Sequence, residues 1–288
     1  MRCDLHVHTL HSGMCTVPLL RRICRESYSD PRTVYQTLKH RGMDLVTVTD
    51  HDSIDAGECL RRYPDFFLSE EVSATSPSGT EMHIGVYDIQ ERHHIEVQRR
   101  REDLLSLIAY LDEQQIFFTI NHVYSSLTGR RTESDFELFS RHFPGVEALN
   151  GQIPALCNRR AADLALRQRK AVVGGSDAHT TAALGHTYTQ VPGARTKSEF
   201  MERLRRGQAS LHGESGSYWK LTRAVLKLGS EMMRERPWTL SLLPLAFAVP
   251  LITLANAFRE FAFVHRWARG GTCAPRQPAV LGYEEAGL

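Results

Sequence analysis

Fourteen histidines stand in this chain, and several close short apolar, β-branched runs. His6-Val7-His8 ends the first run. The period of two along a strand puts both imidazoles on one face, where they can share a cation. Thr49-Asp50-His51-Asp52 ends the second run and Glu70-Glu71-Val72-Ser73 the third. The fourth carries His83, the fifth ends in Asn121-His122, and the seventh ends in Ser176-Asp177-Ala178-His179, again two donors at a spacing of two. Imidazole with carboxylate suits Zn, Mn or Fe. Eight such groups exceed what one tetrahedral ion takes, so two or three divalent ions are expected. Closely spaced ions favour phosphoester hydrolysis: they bind a phosphoryl oxygen, acidify a bridging water and stabilise the leaving group. A single buried histidine is more often a satisfied core residue than a ligand. The patterns H-x-H, T-D-H-D and S-D-A-H in one chain are not independent accidents.

These donors need elements to aim them. Apolar runs at Cys3–Val7, Asp44–Thr49, Phe66–Val72, Glu81–Tyr87, Ile116–Ile120, Val146–Leu149 and Ala171–Val173 read as buried parallel strands. Helical patterns lie between most of them: Pro31–His40 (Asp30 as N-cap, Gly42 as stop), Ile95–Gln114, Glu133–His142, Pro154–Arg169 and Lys197–Arg206. Thr196 and Glu199 open the last at capping-box spacing. The alternation predicts an α/β fold, a closed or nearly closed barrel whose strand ends carry function. Residues 1–212 form this unit; Gly213–Ser217 is the expected linker to an extension over 213–288.

The chain has 288 residues and a net charge of +2, too mild to argue for nucleic acid. The six cysteines (Cys3, Cys15, Cys24, Cys59, Cys157, Cys273) contain no C-x-x-C pair and read as reduced thiols. The N-terminus lacks an apolar run, so a cytoplasmic catalytic part is expected. No nucleophile elbow and no Gly-rich phosphate loop is evident.

With these residues in view, the sequence resembles the PHP (polymerase and histidinol phosphatase) family. The matching motifs are DLHVHT (4–9), VTVTDHDSI (46–54), EEVS (70–73), HIGVY (83–87), NHV (121–123) and GGSDAHT (174–180). The resemblance covers about residues 1–212 and implies a distorted (β/α)7 TIM-like barrel and a metal-dependent phosphoesterase. It implies ligands at His6, His8, His51, Glu71, His83, His122, Asp177 and His179, with Glu71 rather than Glu70 bridging two ions. Asp50 is expected to orient an imidazole. Family members carry an acidic residue or His soon after H-x-H. Here Gly13 occupies that position, so one ion is expected to be weakly held or bound differently, with His11 as a shifted substitute. Arg130 and Arg131, in a loop over the expected barrel mouth, are candidates for phosphate oxygens. His186, where relatives often carry Arg, is a candidate phosphate contact or general acid.

The expected activity is in-line attack by a metal-activated hydroxide on a small phosphomonoester or nucleotide. The alternatives are a nuclease acting on oligonucleotide ends, which the mild charge disfavours, and a catalytically weak scaffold tethered to a membrane or partner. The basic runs 99–101 and 159–160 read as solvated helix faces.

Tyr218–Arg236 reads as a basic amphipathic helix. Trp238–Phe258 then carries no charged residue, with Trp238 and Trp267 as interfacial anchors and arginines on both sides (Arg234, Arg236, Arg259, Arg266, Arg269). That length suits a bilayer core of ~30 Å, whereas Pro244, Pro250 and Asn256 favour a broken helix packed on protein or on a second copy. The tail from Gly270 is expected to be disordered. Carbonate-washed membranes separate the two readings: retention in the pellet is expected for membrane association, and complete recovery in the supernatant for packing on protein.

Overall fold

The computed structural model describes residues 1–18 and 20–268, so Arg269, Cys273 and the expected disordered tail lie outside the described residues. In chain order the elements are β1 (Arg2–Cys3), α1 (Pro31–His40), α2 (Gly57–Leu60), β2 (Leu68–Thr75), β3 (Glu81–Ile89), α3 (Glu91–Arg100), α4 (Leu104–Glu113) and β4 (Phe117–Ile120). There follow α5 (Glu133–His142), β5 (Gly145–Asn150), α6 (Ala155–Gln168), β6 (Ala171–Gly175), β7 (Thr187–Gln190), α7 (Lys197–Arg205) and β8 (Ser210–Gly213). The chain closes with α8 (Tyr218–Glu235), a 3-10 segment (Pro237–Ala248) and α9 (Val249–Ala268).

Local chemistry sets many of these boundaries. Asp30 accepts hydrogen bonds from the Arg32 and Thr33 amides and starts α1. Thr132 and Asp135 cap α5 reciprocally. At α7 only half of the expected box forms: Thr196 accepts from the Glu199 amide, while Glu199 accepts from the Arg195 amide. The single helix expected over 95–114 is two, α3 and α4, because Asp103 caps a new start at Leu104.

Five strands form a sheet in the order β2-β3-β4-β5-β6. The expected all-parallel pairing is wrong for half of it. The β2–β3 and β3–β4 pairs are antiparallel, and only β4–β5 and β5–β6 run parallel. The turn at Ser76–Thr80 explains the first pair, since a parallel crossover needs a dozen or more residues. A second sheet, β1-β7-β8, is antiparallel. β7 and β8 escape the apolar-run test because Thr, Tyr, Gln, Ser and His alternate along them.

No closed strand ladder is found among the described residues. The expected strand at Asp44–Thr49 is an extended segment held by isolated bridges, Val46 to Phe66 and His51 to Glu71. The segment after β1 is held likewise. The Asp177 amide donates to the His6 carbonyl (2.7 Å) and the His8 amide to the Ala178 carbonyl (3.2 Å). On its other side the Thr49 amide donates to the Val7 carbonyl (2.8 Å). A Cβ at Gly175 would overlap the His6 backbone, so this glycine permits the close approach. The donor-bearing segments are therefore laid side by side by single bridges.

Three apolar clusters surround them. The largest joins β2–β5, α4, α5 and α6 and includes Phe118, Phe139 and Phe143. It also takes in Val264 of α9, with Trp267 packed against it. The region 213–217 is no free linker: Gly216 bridges to Pro154, and Ser217 caps α8. α9 is pinned by Glu260, only 3% exposed, which accepts from the Ser126 amide (3.0 and 3.2 Å) and from its hydroxyl. The opposite side is bare: Phe247 is 88% exposed and Leu251 70%. Pro237–Trp267 is long and apolar enough to cross a membrane by length and composition, and 11% of its apolar window is buried. Replacing Glu260 by Ala leaves the buried Ser126 amide unpaired, which costs about 1–3 kcal/mol. Thermal unfolding should show a lower midpoint for Glu260→Ala than for wild type.

Candidate metal centre

The eight donors singled out from sequence meet at one place. Their centre is Glu71 on β2, 1% exposed. Its Oε2 lies 3.1 Å from His6 Nε2, 3.4 Å from His8 Nε2 and 3.5 Å from His51 Nε2. Its Oε1 lies 3.2 Å from His122 Nε2 and 3.6 Å from His83 Nδ1. The Asn121 amide also donates to Oε1 at 2.8 Å. Glu70, next in the strand, points to the other face and accepts from His94 and Gln98 at 2.9 Å each. Alternation along β2 thus separates the two carboxylates. Asp177 Oδ1 lies 3.3 Å from His8 Nε2 and 3.6 Å from His6 Nε2. Three overlapping triads bring their donor atoms within 4.8 Å of one another: His6, His8 and Asp177; His6, Glu71 and His122; His8, His51 and Glu71.

Outer partners fix which nitrogen of each ring faces inward. Glu147, on β5, accepts from His6 Nδ1 at 2.7 Å. Ser12 Oγ donates to Asp50 (2.7 Å), so it accepts from His8 Nδ1 (2.9 Å). The Asp177 carbonyl accepts from His179 Nδ1 at 3.0 Å. With their protons on Nδ1, all three rings present an Nε2 lone pair to the site, the arrangement metal-ligating histidines adopt. Asp50 makes no hydrogen bond to an imidazole directly; it accepts from Thr9 and Ser12, and Ser12 in turn accepts from His8 Nδ1, so its orienting action reaches the ring through Ser12.

Backbone strain collects here. Asp52, His122 and Asp177 have positive φ values of 50°, 30° and 50°. Such conformations persist only where the surroundings enforce them. Glu147 accepts from the His122 amide (2.9 Å) and Asn150 donates to Asp177 (3.0 Å).

The acidic residue expected near position 13 arrives from further along the chain. The chain leaves at Gly13 (φ 84°), turns back through a Met14–Arg25 bridge, and the Glu26 amide donates to the Gly13 carbonyl at 3.1 Å. Glu26 Oε1 then lies 3.4 Å from both His51 Nε2 and His179 Nε2. His11 makes no side-chain hydrogen bond among the described residues. Sequence reading missed Glu26 because twelve residues intervene between it and the motif position at Gly13. Glu147 was missed because it sits inside an apolar run.

The electrostatics favour bound cations. Burial opposes ionisation of Glu71 and Asp177, but the surrounding imidazoles hold both well below the carboxylate range. Glu26 is depressed in the same way by His179 and His51. Burial works against protonation of His6 and His51, yet facing carboxylates raise both, His51 to about 10. Burial and the neighbouring His179 lower His8 to about 4.

The expected substrate contacts do not join the cluster. Arg130 is exposed and makes no hydrogen bond or ion pair with any of the eight donors. Arg131 is buried against the Glu81 carbonyl and Thr128. His186 is about half exposed, with Glu214 3.8 Å away. Lys220 on α8, missed from sequence, has a buried ammonium without a hydrogen-bond partner and lies in the field of Glu214, Asp4 and Asp177.

Comparison with known proteins agrees with this architecture. Residues 156–209 match the family model described as PHP-associated. An uncharacterized protein of Methanocaldococcus jannaschii is 31% identical over 81 residues, which are 28% of this chain and 46% of that protein. The chain thus spans less than half of this relative. A two-domain Bacteroides vulgatus protein, described as containing a predicted PHP-like metal-dependent phosphoesterase, superposes with a TM-score of 0.56 at 15% identity, covering 74% of this chain and 65% of that one. PsfC from Pseudomonas syringae superposes with a TM-score of 0.58 at 17% identity, covering 81% and 98%. These likenesses show a PHP-like fold, with a PHP-associated match over residues 156–209.

Two measurements check the centre. Glu26→Ala should lower the number of ions retained after dialysis, by elemental analysis, while His11→Ala should leave it unchanged. Facing carboxylates make His6 and His51 hold protons more tightly than a free imidazole, so metal uptake should release protons and weaken as pH falls. Calorimetry in buffers of different ionisation enthalpy reads that release directly.

Proposed function

We propose that this chain hydrolyses phosphomonoesters with two or three divalent ions, Mn, Zn or Fe, held by the eight donors and Glu26. One observation carries the reading. His6 Nε2 and His8 Nε2 face each other at 3.0 Å, with both ring protons engaged elsewhere by Glu147 and Ser12. Two lone pairs that close need a cation against them, a proton on His6 in the metal-free protein and a metal ion in the loaded one. His83 Nδ1 and His122 Nδ1, buried without partners, add unspent donor capacity. The donor set of imidazole and carboxylate fits those metals. A distorted (β/α)7 barrel, completed by the extended segments, would be the frame.

Bound divalent ions would supply Lewis acidity toward a phosphoryl oxygen and acidify an attacking water. The chain's own residues do the rest. Glu71 and Asp177 would hold the ions and offset their charge. Glu147, Ser12 and the Asp177 carbonyl hold His6, His8 and His179 in the tautomer that binds. Lys220, whose ammonium has no hydrogen-bond partner and lies 4.0 Å from Glu214, would take a non-bridging oxygen.

The nuclease reading fares worse. The cavity that reaches Asp177, His179 and Glu26 has no Lys or Arg on its wall to follow a polyanion. The exposed apolar face of the 3-10 segment and α9, with α9 tied to the site by Glu260, supports peripheral association with a lipid surface.

A metal-supplemented phosphomonoester panel tests the proposal. Turnover should need Mn, Zn or Fe and vanish with chelator. Glu71→Gln should lower kcat at least about a thousand-fold, the scale of losing a central electrostatic group. Lys220→Met should chiefly raise KM. Turnover unaffected by Glu71→Gln, or by chelator, would refute it.

A further inference from the structure

The cavity that opens on the metal centre is the least explained feature of the molecule. It encloses about 310 Å³, within the range of small-ligand sites. At one end stand Glu26, Asp177 and His179. From there it runs between the two helices of the C-terminal extension. The wall from α8 is Tyr218, Leu221, Ala224, Val225 and Leu228, spaced so that one helical stripe faces the space rather than the domain core. α9 contributes the small face of Ala257. Val17 and Ile153 close the sides.

Polar groups also border this space; those on α8 and α9 are largely committed, while Thr16 and Gln152 on the domain side make no side-chain hydrogen bond among the described residues. Thr253 bonds Thr222 at 2.8 Å, Ser217 caps α8, and Asn256 accepts from Arg259 at 2.7 Å. Glu260 is taken by Ser126. A sugar or base would therefore find few free donors along the wall and would lose hydrogen bonds to water on entering. A hydrocarbon chain loses nothing there and gains its own desolvation. Beyond the helices lies the bare apolar surface headed by Phe247, Leu251 and Ile252.

Resting on the phosphoesterase reading, we infer that the substrate is an amphiphilic phosphomonoester whose phosphate lies at Glu26, Asp177 and His179 and whose apolar chain lies between α8 and α9. The extension then supplies half of the substrate site. Hydrolysis transfers the phosphoryl group to water: a water oxygen–phosphorus bond forms, the ester phosphorus–oxygen bond breaks, and the leaving alkoxide takes a proton to give the apolar alcohol. Such a molecule comes either from a bilayer or as a soluble amphiphile, and both share this chemistry.

The test uses full-length, manganese-loaded protein with ethyl, butyl, hexyl and octyl phosphate below their micelle concentrations. kcat/KM should rise about two- to four-fold per methylene, the scale of burying each CH₂. Ala224→Trp and Ala257→Trp, which fill the cavity, should flatten the series. Equal kcat/KM for ethyl and octyl phosphate in the wild type would overturn the inference. Calorimetry with ethyl- and octylphosphonate separates the two layers of the reading. Tighter octyl binding without turnover of any ester would refute the phosphoesterase and keep the subsite; equal affinities would refute the subsite. Octyl phosphate in solution and phosphatidic acid in phosphatidylcholine vesicles distinguish the sources. Hydrolysis of either with a kcat/KM above that of ethyl phosphate supports the subsite and names the source. Hydrolysis of neither, while ethyl phosphate is consumed, overturns it.

Discussion

One buried carboxylate organises the site. Glu71 faces five imidazoles, from the segments that carry His6, His8, His51, His83 and His122, within 3.6 Å. None of these segments is adjacent to all the others in sequence, and the bridges that align them are mostly single. Taking so many titratable groups out of water is unfavourable unless charges are matched. Matching here needs positive charge at the centre, as protons or as metal ions. The fold around Glu71 reads as a device for keeping that requirement in place: apolar clusters on the outside, and strained φ values at Asp52, His122 and Asp177 on the inside.

The layer behind the donors is as ordered as the donors. Glu147 fixes both a ring and an amide, holding His6 and the strained His122 together. Asp50 acts two bonds away from the ring it influences, through Ser12. Removing such outer partners typically costs ten- to a hundred-fold in metal affinity or activity. The chemistry therefore belongs to a network rather than to the first set of donors.

Much of the site was legible in the sequence because donors at strand ends follow the period of two. His6/His8 and Asp177/His179 share faces as that period requires, and the same period separates Glu71 from Glu70. The pairing direction of the sheet was not legible. An apolar run says that a strand is buried on both faces and says nothing of its polarity. The short link between Phe66–Val72 and Glu81–Tyr87 was the available signal, since it is too short for a crossover. Glu26 and Lys220 lay beyond reach for a different reason. Each is brought in by a path, a folded-back loop or an added helix, whose course depends on tertiary packing.

The excursion from Gly13 to Glu26 has one more consequence. Its outgoing limb, Cys15 to Val17, forms part of the cavity wall, and its returning end carries the acidic donor. Wall and donor are one piece of chain. A change that reshapes the space for a different leaving group will shift the donor, and a change of donor will move the wall. The shape of the cavity mouth and the placement of the Glu26 carboxylate are thus mechanically linked.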